Sequence, residues 1–133
     1  MTYLKLSTST RKKGNEKRVK SIIQDKRSGR CYICEYWRND DSIKSSLEEH
    51  HIFYGPNRKL AERYGLKVML CRYHHQGDIH GAHDAIHNNP DKTNDQRLKR
   101  IGQEAWEKRF AKAAAGSEEA HQEFRQIFGK SYL

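Results

Sequence analysis

A chain of 133 residues with 35% hydrophobic side chains holds about one domain, with material for a modest core and no more. Its mean hydropathy of −1.09 and the lack of an apolar run near the ~18–20 residues of a bilayer span argue against a membrane protein. The net charge of +9 is unevenly placed: residues 1–30 carry ten Lys or Arg against Glu16 and Asp25, whereas the rest of the chain is nearly balanced.

The opening MTYLKLSTSTRKKG has no apolar stretch of the secretory kind, so a cytoplasmic, intracellular location and reduced thiols are expected. Residues 1–30 read as a basic N-terminal arm suited to nucleic-acid phosphates. Lys12, Lys13 and Arg18 are its candidate contacts, and Glu16 to Asp25 is expected to be a short helix with Val19, Ile22 and Ile23 on one side. Ser28-Gly29-Arg30 should break it. CYICEYW reads as a strand, as does the stretch around His50–Tyr54, and Gly55-Pro56-Asn57 is a turn by its chemistry. RKLAERY predicts one or two helical turns closed by Gly65, LKVML a second strand, and Arg72 onward a helix that gives way at Gly77 and Gly81. Beyond Pro90, Asn94 or Asp95 should cap a helix running to about Ala115, with Leu98, Ile101, Ala105 and Phe110 near one face. Ser117 and Gly129 bracket a last helix. The chain thus divides into the arm at 1–30, a core at 31–90 and C-terminal helices at 91–133.

Chemistry concentrates in the core. Seven of the eight histidines lie between His50 and His87. Cys31-x-x-Cys34 and Cys71-x-x-His74 have the spacing of two knuckles of one tetrahedral structural zinc site. A redox C-x-x-C beside an unrelated core cysteine is the competing reading. A closed zinc site needs neither the doublet His50-His51 nor His75, so the surplus imidazoles point to a second, open metal site. His87 and His121 read as ordinary surface and helix residues.

The order C-x-x-C, then a strand ending in His-His, then a strand into L-C-x-x-H-H, resembles the HNH endonucleases of ββα-metal architecture. EHHIFYGPNRKL and YGLKVMLCRYHH are similar to small phage-encoded members akin to the recombination-enhancement nucleases, over roughly residues 30 to 84. The resemblance implies an α+β fold, a zinc-stapled treble-clef/ββα-metal core with flanking helices, and hydrolysis of DNA phosphodiester bonds. It implies His51 as general base and His50, His75 and His83, with His80 close behind, as ligands of a catalytic divalent metal. Mg²⁺, Mn²⁺ or Ni²⁺/Zn²⁺ are the candidates, and imidazole ligands lean away from magnesium. Arg58, Lys59, Arg63 and Arg72 would grip flanking phosphates. DNA is the implied partner, with a recombinase as a possible second. The family's middle asparagine falls here near Leu66 or Lys67, and Asn57 is the nearest candidate to stand in for it. The alternative function is a non-catalytic zinc-binding DNA- or RNA-binding or recombination accessory module.

Overall fold

The computed structural model describes residues 18–77 and 84–133. Lys12, Lys13, His80 and His83 lie outside the described residues. The fold is α+β. A two-stranded antiparallel sheet, β1 (Glu48–His51) and β2 (Lys67–Leu70), is accompanied by helices α1 (Tyr32–Trp37), α2 (Arg58–Tyr64), α3 (Arg72–Gln76), α4 (Thr93–Phe110) and α5 (Glu118–Phe128). None of the described helices is long and apolar enough to cross a membrane.

The strand register pairs Glu48 with Leu70, Glu49 with Met69, His50 with Val68 and His51 with Lys67. Side chains alternate across a strand, so Glu48 and His50 share one face, and Glu49, His51 and Lys67 share the other. That alternation splits the histidine doublet. A lone pair of short strands is marginal in water, and here the helices supply the missing burial. Ile33, Ile52, Phe53, Leu66, Val68, Leu70, Leu98, Trp106, Phe124 and Phe128 form one continuous buried cluster. Phe53 is the hinge of that packing, its ring 5.4 Å from Phe124 and 5.0 Å from Phe128. Gly102 lets α4 approach, since a Cβ there would lie 3.0 Å from both Ile52 and Phe53 side-chain atoms.

Several elements follow the sequence closely. Gly65 ends α2 in the left-handed conformation (φ +71°), its N–H reaching the carbonyls of Ala61 and Glu62. Ser117 caps α5 by accepting from the Ala120 N–H, and Gly129 closes it at φ +91°.

Three expectations are corrected. CYICEYW is helical over Tyr32–Trp37 rather than extended. Its aromatic and β-branched content suggests a strand, but the Cys31 sulfur accepts from the Cys34 N–H and caps a helix. The helix expected over Glu16 to Asp25 is absent from residues 18–25. That segment lies along β2 instead: the Ile22 N–H donates to the Gly65 carbonyl, Ser21 Oγ to the Lys67 carbonyl, and the Met69 N–H to Gln24 Oε1. Tertiary hydrogen bonds have overridden a weak local preference. Finally, α4 stops at Phe110, not near Ala115. The following backbone turns because the Glu123 carboxylate accepts from the Lys112 and Ala113 N–H groups, and Glu107 accepts from Gly116. Phe110, expected on the buried face, is 39% exposed, and Trp106 fills the core in its place.

Candidate metal centres and the paired histidine

Cys31 at the N-cap of α1, Cys34 in its first turn, Cys71 at the end of β2 and His74 in α3 converge. His74 Nδ1 lies 3.6 Å from Cys31 Sγ, 3.3 Å from Cys34 Sγ and 3.4 Å from Cys71 Sγ, and the Cys34 and Cys71 sulfurs are 3.9 Å apart. A zinc tetrahedron with bonds of ~2.3 Å to sulfur and ~2.0 Å to nitrogen has edges of roughly 3.5–3.8 Å. These residues are therefore compatible with a structural metal such as zinc.

The thiols' protonation agrees with that donor set. Burial works against a charge on Cys31, yet the adjacent His74 ring and the backbone N–H groups of Cys34 and Cys71 bring its pKa down to about 6. Burial and the nearby Cys31 charge push Cys34 up to about 12, and burial raises Cys71. One thiolate is stable on its own; further anions in the same space need a cation. The Nε2–H of His74 donates to Asp84 Oδ2 at 3.0 Å, which leaves Nδ1 as the lone-pair nitrogen facing the sulfurs. Asp84 is itself held by Arg38 and, at 2.7 Å, by Asn94 Nδ2.

The second cluster forms on the Glu48/His50 face of β1. His50, His75 and His87 offer ligand atoms within 4.8 Å of one another. Their ring centroids form a near-equilateral triangle, 5.2 Å for His50–His75, 5.2 Å for His50–His87 and 4.9 Å for His75–His87. His50 is 2% exposed, and its Nε2 is a buried nitrogen without a hydrogen-bond partner among the described residues. Burial, then the neighbouring His75 and His87 rings, push its pKa well below the ordinary histidine value, so it presents a neutral lone pair. The His75 Nδ1–H donates to Glu48 Oε1 at 2.7 Å, directing Nε2 to the cluster in the carboxylate–histidine–metal manner. Three imidazoles, one with a buried nitrogen unpartnered among the described residues, fit a transition-metal ion.

No family model, characterised protein or solved structure matches this chain. The site must be read from its own geometry.

His87 is the residue that sequence reasoning missed. Expected at the surface, it is partly buried in the imidazole triangle. Its backbone is placed by α3, because the Ile86 N–H donates to the His74 carbonyl and the His87 N–H to the His75 carbonyl. No fixed spacing announces that arrangement.

His51 stands apart from both clusters. It is 5% exposed and points to the opposite face of β1, where its Nε2–H donates to Glu62 Oε1 on α2 at 2.8 Å. Lys67, its cross-strand partner, donates to both Glu62 oxygens at 2.9 and 3.0 Å and lies 3.3 Å from Glu49. Arg18 bonds both Glu49 and Glu62. Burial opposes ionisation of Glu62, but hydrogen bonds from Arg18, His51, Lys67 and the Val19 N–H hold its carboxyl far below the usual range. Asn57 does not substitute for a middle asparagine at His51: its Nδ2 donates to the Phe128 carbonyl at 3.0 Å and ties the turn to the end of α5. Leu66 is core. Arg58, Lys59 and Arg63 are exposed along α2, and Arg72 is exposed with its guanidinium 3.6 Å from Glu48. His121 donates to Glu107 at 2.7 Å and links α5 to α4.

Proposed function

We propose that this chain is a metal-dependent endonuclease of the HNH, ββα-metal type, acting on DNA phosphodiester bonds and stapled by structural zinc. The observation that carries the reading is the imidazole triangle of His50, His75 and His87, set apart from the Cys31–Cys34–Cys71–His74 cluster, the two sets taking the adjacent residues His75 and His74 from α3. A closed zinc staple needs four ligands and has them. A second donor set, with a buried nitrogen that has no partner among the described residues, has no structural purpose of that kind.

In this reading His50, His75 and His87 would hold a transition-metal cation. Such an ion, when bound, stabilises charge developing on the scissile phosphate and the leaving oxygen. His51, on the other face of β1 from the triangle, would take a proton from a water attacking the phosphorus from the side away from the ion, and Glu48 keeps His75 in the tautomer that ligates. Exposed Arg58, Lys59, Arg63 and Arg72 bind flanking phosphates, and the basic arm adds a sequence-independent, salt-sensitive attraction. A treble-clef description of the zinc-bearing core, an intracellular location and a phage origin belong to the same proposal.

Incubation of supercoiled plasmid with the protein and Mg²⁺, Mn²⁺ or Ni²⁺, with EDTA as control, tests it. Metal-dependent nicking that disappears in His51→Ala is the expected result. Absence of nicking by the folded, metal-loaded parent would favour a non-catalytic zinc-binding nucleic-acid module.

A further inference from the structure

The opposite face of β1 carries a second arrangement that the metal sites do not explain. From it we infer that Glu62 is the positioning residue of His51: its carboxylate holds the ring as the Nε2–H tautomer and leaves Nδ1 as the nitrogen that receives a proton. The chemical part of this inference rests on the nuclease reading; the geometric part does not.

A neutral imidazole has one donor and one acceptor nitrogen, and the partner of the first decides which is the second. At His51 the decision falls to a carboxylate, which only accepts. Glu62 Oε1 sits 2.8 Å from Nε2, so the proton lies on Nε2. Nδ1 has no hydrogen-bond partner among the described residues, and it is not among the sealed orphan atoms, which are His50 Nε2, Asp95 Oδ1 and Trp106 Nε1. The ring is thus prepared on one side and, among the described residues, unengaged on the other.

Glu62 is itself immobilised. The Val19 N–H donates to its Oε2 at 3.0 Å, Arg18 Nε approaches the same oxygen at 3.3 Å, and Lys67 bridges both oxygens. Lys67 is 4% exposed, and its place opposite His51 is fixed by strand register rather than by a flexible stem. It is one of the two positions, Leu66 or Lys67, near which the resemblance expects an asparagine. Here a lysine–glutamate relay performs the orienting task that a single amide would perform.

Glu49, His51 and Glu62 also lie close enough together to suggest a third cation site. The ammonium of Lys67 and the guanidinium of Arg18 already neutralise both carboxylates. A divalent ion would be inserted beside the buried Lys67 ammonium and the Arg18 guanidinium, and like charges near a desolvated ammonium repel. The cluster orients; it does not chelate.

Two measurements on the full chain test this. In the first, plasmid nicking is compared for the parent, Glu62→Gln and Glu62→Asp. Glutamine keeps the size of the side chain but can donate to Nε2 and stabilise the wrong tautomer. Its kcat should fall by at least about tenfold, towards the ~10²–10⁴ that a general base contributes, with KM and metal content unchanged. Aspartate should recover part of the loss. In the second, nitrogen-15 correlation spectra of the His51 ring, which need no activity, should show Nε2–H in the parent and loss of that tautomer's dominance in Glu62→Gln. Parental kcat in Glu62→Gln, or an Nδ1–H ring in the parent, would overturn the inference. A parent that binds metal, shows the Nε2–H ring and never cuts DNA would instead strike the nuclease reading and leave no proton-transfer role for the pair.

Discussion

Glu48→Ala and Asp84→Ala should separate the two proposed metal centres. In the parent, Glu48 receives the His75 Nδ1–H at 2.7 Å, and Asp84 receives the His74 Nε2–H at 3.0 Å. Neither carboxylate belongs to either set of ligand atoms. Removing Glu48 frees the His75 ring to turn and to place a proton on the nitrogen that faces His50 and His87. Outer carboxylates of this kind typically contribute ~10–100-fold in metal affinity, or roughly 1.4–2.7 kcal/mol. The Glu48 side chain is 32% exposed and Arg72 competes for it at 3.6 Å, which argues for the lower half of that range. Competition with a metal-sensing dye, run with Mn²⁺ or Co²⁺ on the zinc-loaded protein, measures the effect. Glu48→Ala should weaken the exchangeable site and leave tightly held zinc in place. Asp84→Ala should do the reverse, and it also strands Arg38 and Asn94. Equal effects of both substitutions on both ions, or none on either, would refute the assignment of separate centres.

Further outcomes can be measured on the same protein. Cys34→Ala should lose zinc and unfold at much lower temperature by calorimetry, because structural zinc contributes folding free energy directly, ~10–16 kcal/mol in apparent terms for small zinc modules. Gly65→Ala should be destabilised by at least ~1–2 kcal/mol for the left-handed backbone alone, and by more because the new Cβ would stand 2.3 Å from the Lys20 carbonyl oxygen; urea melts check this. Glu62 titrates below its unfolded value, so its contribution is fully present above pH ~4.5 and is lost as pH falls through the lower folded value. The acid-unfolding curve of Glu62→Gln should accordingly be flatter than the parent's below that pH.

Much of the site could be read from the sequence because its chemistry imposes spacing. Cys31-x-x-Cys34 and Cys71-x-x-His74 point to one tetrahedron whatever lies between them, and the structure brings their donors together. What could not be read depends on backbone path. His87 joins His50 and His75 because residues 86 and 87 hydrogen-bond to carbonyls of α3, a contact without a motif. The split of His50 from His51 was legible in principle, since period-two alternation requires it unless a bulge intervenes, and β1 has regular pairing through both residues. Residues 31–37 mislead for a similar reason: local propensity favoured a strand, while a sulfur accepting one N–H settled the matter as a helix cap. The closure of Gly65 and the Ser117 to Gly129 bracket were legible because those residues act through their own dihedrals and hydroxyls.

The central claim is that two separate metal centres meet at α3, one through His74 and the other through His75. Native mass spectrometry of the full chain under zinc and manganese titration tests it most directly. Two ions should bind, one tight and removed by Cys71→Ala, the other weaker, exchangeable and removed by His87→Ala. A single ion at every metal concentration, or a second ion indifferent to His87→Ala, would contradict the account.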